Sequence, residues 1–119
     1  MRRNLSISIV SLAIVLAIGA RHESRADFQD GDTLYQKCTE TGDGQAVAFC
    51  VGYAAAIADV LGRGDEDIAH WYACIPAGTT QGEIFEVARQ WLHDHPDNRD
   101  ASASDNLAQA MSDAYPCSK

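Results

Sequence analysis

Positive charge is scarce in this chain. Nine lysines and arginines face seventeen aspartates and glutamates over 119 residues, a formal net charge of −8. Four of the nine, Arg2, Arg3, Arg21 and Arg25, sit in the opening segment. The shortage excludes nucleic acid and anionic membrane surfaces as partners, because both are held by clustered basic side chains. No stretch alternates apolar and polar residues for long enough to argue a strand, which argues against a sheet. A glycine-rich phosphate loop is missing, as is any spacing that suggests a nucleophile with its base and orienting group, so the common signatures of catalysis are absent. The chain also lacks internal repeats and low-complexity linkers.

What is present begins with an export signal. Arg2 and Arg3 precede an uncharged, mostly apolar run from Leu5 to Ala20. A polar stretch follows and ends in Ser24-Arg25-Ala26, the small-x-small pattern that signal peptidase cuts after. The run is shorter than the roughly 20 apolar residues a spanning helix needs. Residues 1–26 read as a cleaved signal peptide and residues 27–119 as one domain in the periplasm, free of the membrane once cut. Cleavage leaves five basic and sixteen acidic side chains, a net charge of −11. A basic partner surface suits such a chain, and the same charge would keep an exported protein soluble.

The 27–119 stretch reads as helices joined by short loops. Gly31–Thr39 carries Leu34, Tyr35 and Cys38 on one side. Gln45–Leu61 is the strongest element, with Val47, Cys50, Val51, Ala54, Ile57, Ala58 and Leu61 at helical spacing. Phe49, Tyr53 and Val60 cover much of its other side, which predicts burial from more than one direction. Gly52 and Ala54-Ala55-Ala56 would admit a close neighbour, and Gly62 and Gly64 supply the stop. Asp65–Ala73 is expected to turn Trp71 and Tyr72 inward from a short helix. Thr80 with Glu83 forms a capping box, followed by the stripe Ile84, Val87, Ala88, Trp91 and Leu92 up to Pro96. Ser102 and Asp105 repeat the cap before Leu107, Ala110, Met111 and Ala114. The expected fold is all-α: a small compact bundle of four to five short helices, cross-linked by two disulfides.

Those cross-links come from Cys38, Cys50, Cys74 and Cys117, an even count in an exported chain. Three connectivities are open to four cysteines. If helices one and two form an antiparallel hairpin, and three and four another, Cys38–Cys50 and Cys74–Cys117 need the least chain rearrangement. In the chain-entropy picture the two loops are worth roughly 3 and 4 kcal/mol. Cross-linking also removes the cysteines as nucleophiles and metal ligands, which favours binding over catalysis.

Remaining candidates are few. His93-Asp94-His95-Pro96-Asp97 resembles a metal site, but histidines two apart are not a usual ligand pair on a helix, and a histidine suits a helix C-terminus. His70, beside Trp71, reads as packed or solvated. No catalytic residue, metal or cofactor is expected. Asp59, the one charge in its helix, either pairs with Arg63 or pins a neighbouring segment. The polar loop His95–Ser102 is the favoured recognition surface, with Asp97, Asn98, Arg99 and Asp100 as partner contacts.

The order Leu34…Cys38, Phe49-Cys50-x-Gly52-Tyr53-x-x-x-x-x-Asp59, Cys74-x-Pro76-x-Gly78-x-Thr80, Trp91-Leu92-x-x-x-Pro96 and Tyr115-Pro116-Cys117 resembles the Tai/Rap-type immunity family. The likeness covers nearly all of the chain after residue 26 and departs from the pattern at the charged stretch Arg63–Asp67. It implies a compact, often dimeric helical protein of the periplasm. It also implies binding to a peptidoglycan-cleaving amidase, an effector of type VI secretion, and blocking of its cleft. The residues alone leave two other classes open. One is an HdeA-like periplasmic acid-stress chaperone, since sixteen carboxylates would discharge in acid. The other is a periplasmic accessory protein with no inhibitory role.

Overall fold

A computed structural model describes residues 27–118. Four helices follow one another: α1 (Gly31–Thr39), α2 (Gly44–Leu61), α3 (Gln81–Asp94) and α4 (Ala103–Ala114), with a 3-10 turn at Pro96–Asn98 before α4. The expected all-α class and helix order hold. The signal peptide assigned to residues 1–26 lies outside the described residues.

Each helix starts on a side chain that satisfies amide groups the first turn leaves unpaired. Asp30 accepts from the Thr33 amide at 2.7 Å, and Asp43 accepts from Gln45 and Ala46 at 2.9 and 3.2 Å. Thr80 and Glu83 form the full reciprocal box, and Ser102 accepts from the Asp105 amide. α3 and α4 end just before Pro96 and Pro116, which cannot extend a helix. α2 ends at Gly62, whose amide returns to the Ala58 carbonyl.

All six pairs of helices touch. Their shared core is Leu34 of α1, Ile57 and Leu61 of α2, Ile84 and Leu92 of α3, and Leu107 and Met111 of α4, filled in by buried alanines. Burying one such side chain contributes about 2 kcal/mol. Cys38–Cys50 joins the last turn of α1 to α2, with Cα atoms 5.2 Å apart. Cys74–Cys117 joins the segment before α3 to the tail after α4, with Cα atoms 4.9 Å apart. This is the pairing that two antiparallel hairpins favour.

Two local expectations change. α2 is buried along one stripe only, Cys50, Ala54, Ile57 and Leu61. Phe49 and Val60 on its far side are 42% and 47% exposed. The other three helices pack on the inner stripe, and among the described residues no helix covers Phe49 or Val60, whereas Tyr53 is half-buried against the core. Residues 65–73 form no helix either. Ile68 and Trp71 exchange backbone hydrogen bonds around a tight turn, with Ala69 and His70 at φ 52° and 70°. The chain then runs extended and alternates: Trp71 half-buried, Tyr72 exposed, Ala73 buried, Cys74 exposed. Trp71 turns inward as expected and donates to Asp105 at 2.8 Å, whereas Tyr72 does not.

Candidate functional site

The polar loop between α3 and α4 is held from beneath by its own arginine. Arg99 Nε donates to the Leu92 carbonyl at 2.7 Å, and a terminal nitrogen reaches the His93 carbonyl at 3.3 Å. A guanidinium thus meets the negative end of α3 and satisfies carbonyls the helix leaves free. The same group lies over the Tyr35 ring, 3.7 Å from its centroid, and 3.8 Å from Asp32. Its side chain is only 15% exposed.

The start of α1 clamps the loop from the other side. Gly31 donates to the Ala101 carbonyl and Asp32 to the Arg99 carbonyl, while Ala103 donates back to Gln29, each at 2.9 Å. This approach requires glycine at position 31, because a Cβ there would stand 2.9 Å from the Arg99 Cα and 3.0 Å from the Asn106 side chain. Buried Asn106 donates to the Ser102 carbonyl at 2.8 Å. The result is a fixed loop with Asp97, Asn98 and Asp100 exposed. Of the four residues chosen from sequence, these three face outward. Arg99 faces in and serves the scaffold.

Beside the loop, α3 and α4 enclose an open groove of about 530 Å³. Val87, Trp91, Ala110 and Ala114 line its apolar part. Glu86, Gln90 and Asp94, four residues apart, form one wall, and Asp113 stands on the other. The Trp91 indole donates to Asp113 at 2.9 Å. His95 stacks on Trp91 at 4.0 Å between ring centroids and closes one end. Hydrogen bonds from His93 and Gln90 hold the Asp94 carboxyl below the usual range. The sequence marked Trp91 only as a core residue, since a period of 3.6 does not reveal which buried residue borders a groove.

The other singled-out residues have ordinary partners. His93 contacts Asp94 at 2.9 Å, and His95 contacts the Trp91 carbonyl at 2.7 Å. Among the described residues, no three histidine, cysteine, aspartate or glutamate side chains converge as metal ligands. Asp59 is exposed, and among the described residues no ion pair links it to Arg63. All four cysteines are in disulfides, so none is a free nucleophile.

A third surface is the outer face of α2. Phe49 stacks on Tyr53 at 6.0 Å, with the Lys37 ammonium 5.1 Å above its ring. Nothing lies within 4 Å of where a Cβ on Gly52 would stand. α2 is long and apolar enough to cross a membrane by composition, with mean hydropathy 1.5 over 18 residues. A core helix of a soluble bundle passes the same test, and α2 packs against all three other helices. The loop and the groove are thus acidic, whereas the outer face of α2 is apolar.

A profile of the family described as Rap1a immunity proteins matches residues 30–117, from the cap of α1 to the last cysteine. No curated protein matches the chain.

Proposed function

The chain belongs to the Rap1a immunity protein family, and from that membership we propose that it is a periplasmic immunity protein which binds and inhibits a peptidoglycan amidase effector of type VI secretion. The observation that carries the reading is the family match across the whole helical domain. It acts by binding and not by catalysis. Two disulfides suit an oxidising compartment such as the periplasm, where the effector would be met. The cross-linked frame and clamped loop lower the ordering cost of association. An excess of carboxylates speeds encounter with a basic partner. Asp97, Asn98 and Asp100, exposed on that loop, are proposed contacts. The protein acts as a homodimer joined through the outer face of α2, where Phe49 and Val60 are otherwise left to water.

Binding is nanomolar or tighter, about −12 kcal/mol. The test is co-expression of the chain with amidases of the same genome, each directed to the periplasm. Rescue of growth and recovery of a stable complex are expected. If no such amidase is bound or neutralised, the reading fails.

A further inference from the structure

We propose that the groove between α3 and α4 is the seat of an arginine- or lysine-bearing segment of the partner protein. The identity of that partner, an amidase effector, rests on the function proposed above. The chemistry of the occupant rests on the groove.

Val87, Ala110 and Ala114 give the groove an apolar lining, which suits the methylene stem of a long basic side chain. Carboxylates stand on both sides of that lining, Asp94 on α3 and Asp113 on α4. They suit the charged head of the same side chain, since guanidinium and ammonium groups form their strongest hydrogen bonds with carboxylates. Asp113 is the freer of the two, since it takes the Trp91 indole on one oxygen. The Gln90 amide meets both Asp94 oxygens and the His93 ring one of them, so Asp94 contributes its charge and its remaining lone pairs.

Among the described residues no lysine or arginine lines the groove, and the nearby Arg89 is engaged with Glu86 at 2.7 Å. An anionic segment would be repelled. A wholly apolar one would strip water from the carboxylates without replacing it, which is costly. A basic segment avoids both penalties. Recognition then uses two surfaces of the α3–α4 hairpin, the clamped loop and this groove.

The experiment uses ¹⁵N-labelled full chain produced in an oxidising compartment, with the peptide Gly-Arg-Gly-Arg-Gly as probe. The Trp91 indole N–H and the Asp113 and Ala114 amides should shift, the Trp71 indole should stay still, and added salt should weaken the effect. Two variants follow. Asp113→Asn keeps an acceptor for the Trp91 indole but removes the charge. Ala114→Arg places a cation at the groove from an exposed position. Each should bind the peptide at least fivefold more weakly and the effector at least tenfold more weakly, with otherwise native spectra. Shifts confined to the Asp97–Asp100 loop or the α2 face, or variants that bind the effector like the parent, overturn the groove and leave the immunity function standing. Groove shifts with the peptide but no effector bound by the parent protein overturn the function, and with it the effector as occupant.

Discussion

The guanidinium of Arg99 sits over the ring of Tyr35, 3.7 Å from its centroid, and so joins the loop after α3 to the helix that opens the domain. The contact spans 64 positions of sequence. It also turns the one arginine of the loop between α3 and α4 into part of that loop's support.

Arg99→Ala should therefore lower unfolding stability by about 2 kcal/mol, from the lost carbonyl hydrogen bond and cation–π contact. Arg99→Lys should recover no more than half, because an ammonium lacks the planar fork. Urea denaturation measures both, and an alanine variant as stable as the parent would contradict the clamp.

Gly31→Ala should cost about 1–3 kcal/mol, the usual range for forcing extra atoms into a packed contact. The new methyl would meet backbone at 2.9 Å, which cannot swing aside as a flexible side chain does. Amide exchange should rise at Asp32, whose N–H binds Arg99, and at Ala103. An unchanged exchange pattern would show that the approach has slack.

The two disulfides should be reduced in order. Cys74 is exposed, whereas Cys38 and Cys50 are 3% and 0% exposed, and thiol exchange needs access to sulfur. Mild dithiothreitol followed by alkylation should label Cys74 and Cys117 first. Their loss removes a 43-residue constraint, worth about 4 kcal/mol in the chain-entropy picture. Simultaneous labelling of all four would contradict this order.

Acid should weaken the fold through helix starts. Hydrogen bonds from Thr33 lower the pKa of Asp30, and those from Thr80 lower that of Glu83. A carboxyl with a depressed folded pKa contributes stability that is complete above its unfolded value, near 4, and is lost as pH falls through the folded value. Thermal midpoints should thus be level from neutral pH to about 5 and fall below about 4. Glu83→Gln should flatten part of the fall. An equally steep fall in that variant would remove Glu83 from the account.

If the proposed homodimer forms through α2, Phe49→Asp and Val60→Arg should each leave a monomer. Both positions are on the uncovered face of α2, so helicity by circular dichroism should persist. Sedimentation at micromolar concentration decides the matter, and a parent protein that already runs as a monomer would refute the dimer.

Much of this is legible in the sequence, and the reason is locality. The capping box of Thr80 and Glu83 lies within one turn, as does the Ser102 cap, and Pro96 and Pro116 act on the residues beside them. Even the disulfides followed once short loops implied antiparallel hairpins. α2 was misjudged because periodicity shows which residues are apolar, not whether a neighbour exists to cover them. Among the described residues, no fifth element packs over Phe49 and Val60. Tyr72 was misjudged because an extended segment sends adjacent aromatics to opposite sides.

The caps at Asp30 and Asp43 were not legible in the residues alone; the all-α class, a bundle of four to five helices, the caps at Thr80 and Ser102, the acidic charge and a family resemblance were. Each depends on spacings of a few residues or on order along the chain. The tertiary structure alone decided that Arg99 turns inward while Asp97, Asn98 and Asp100 remain outside. It alone set Asp94 and Asp113 across a shared groove and brought Gly31 against the Arg99 backbone. Those relationships join α1 to the loop and α3 to α4, and their distances are set by how helices pack rather than by any repeat within one of them.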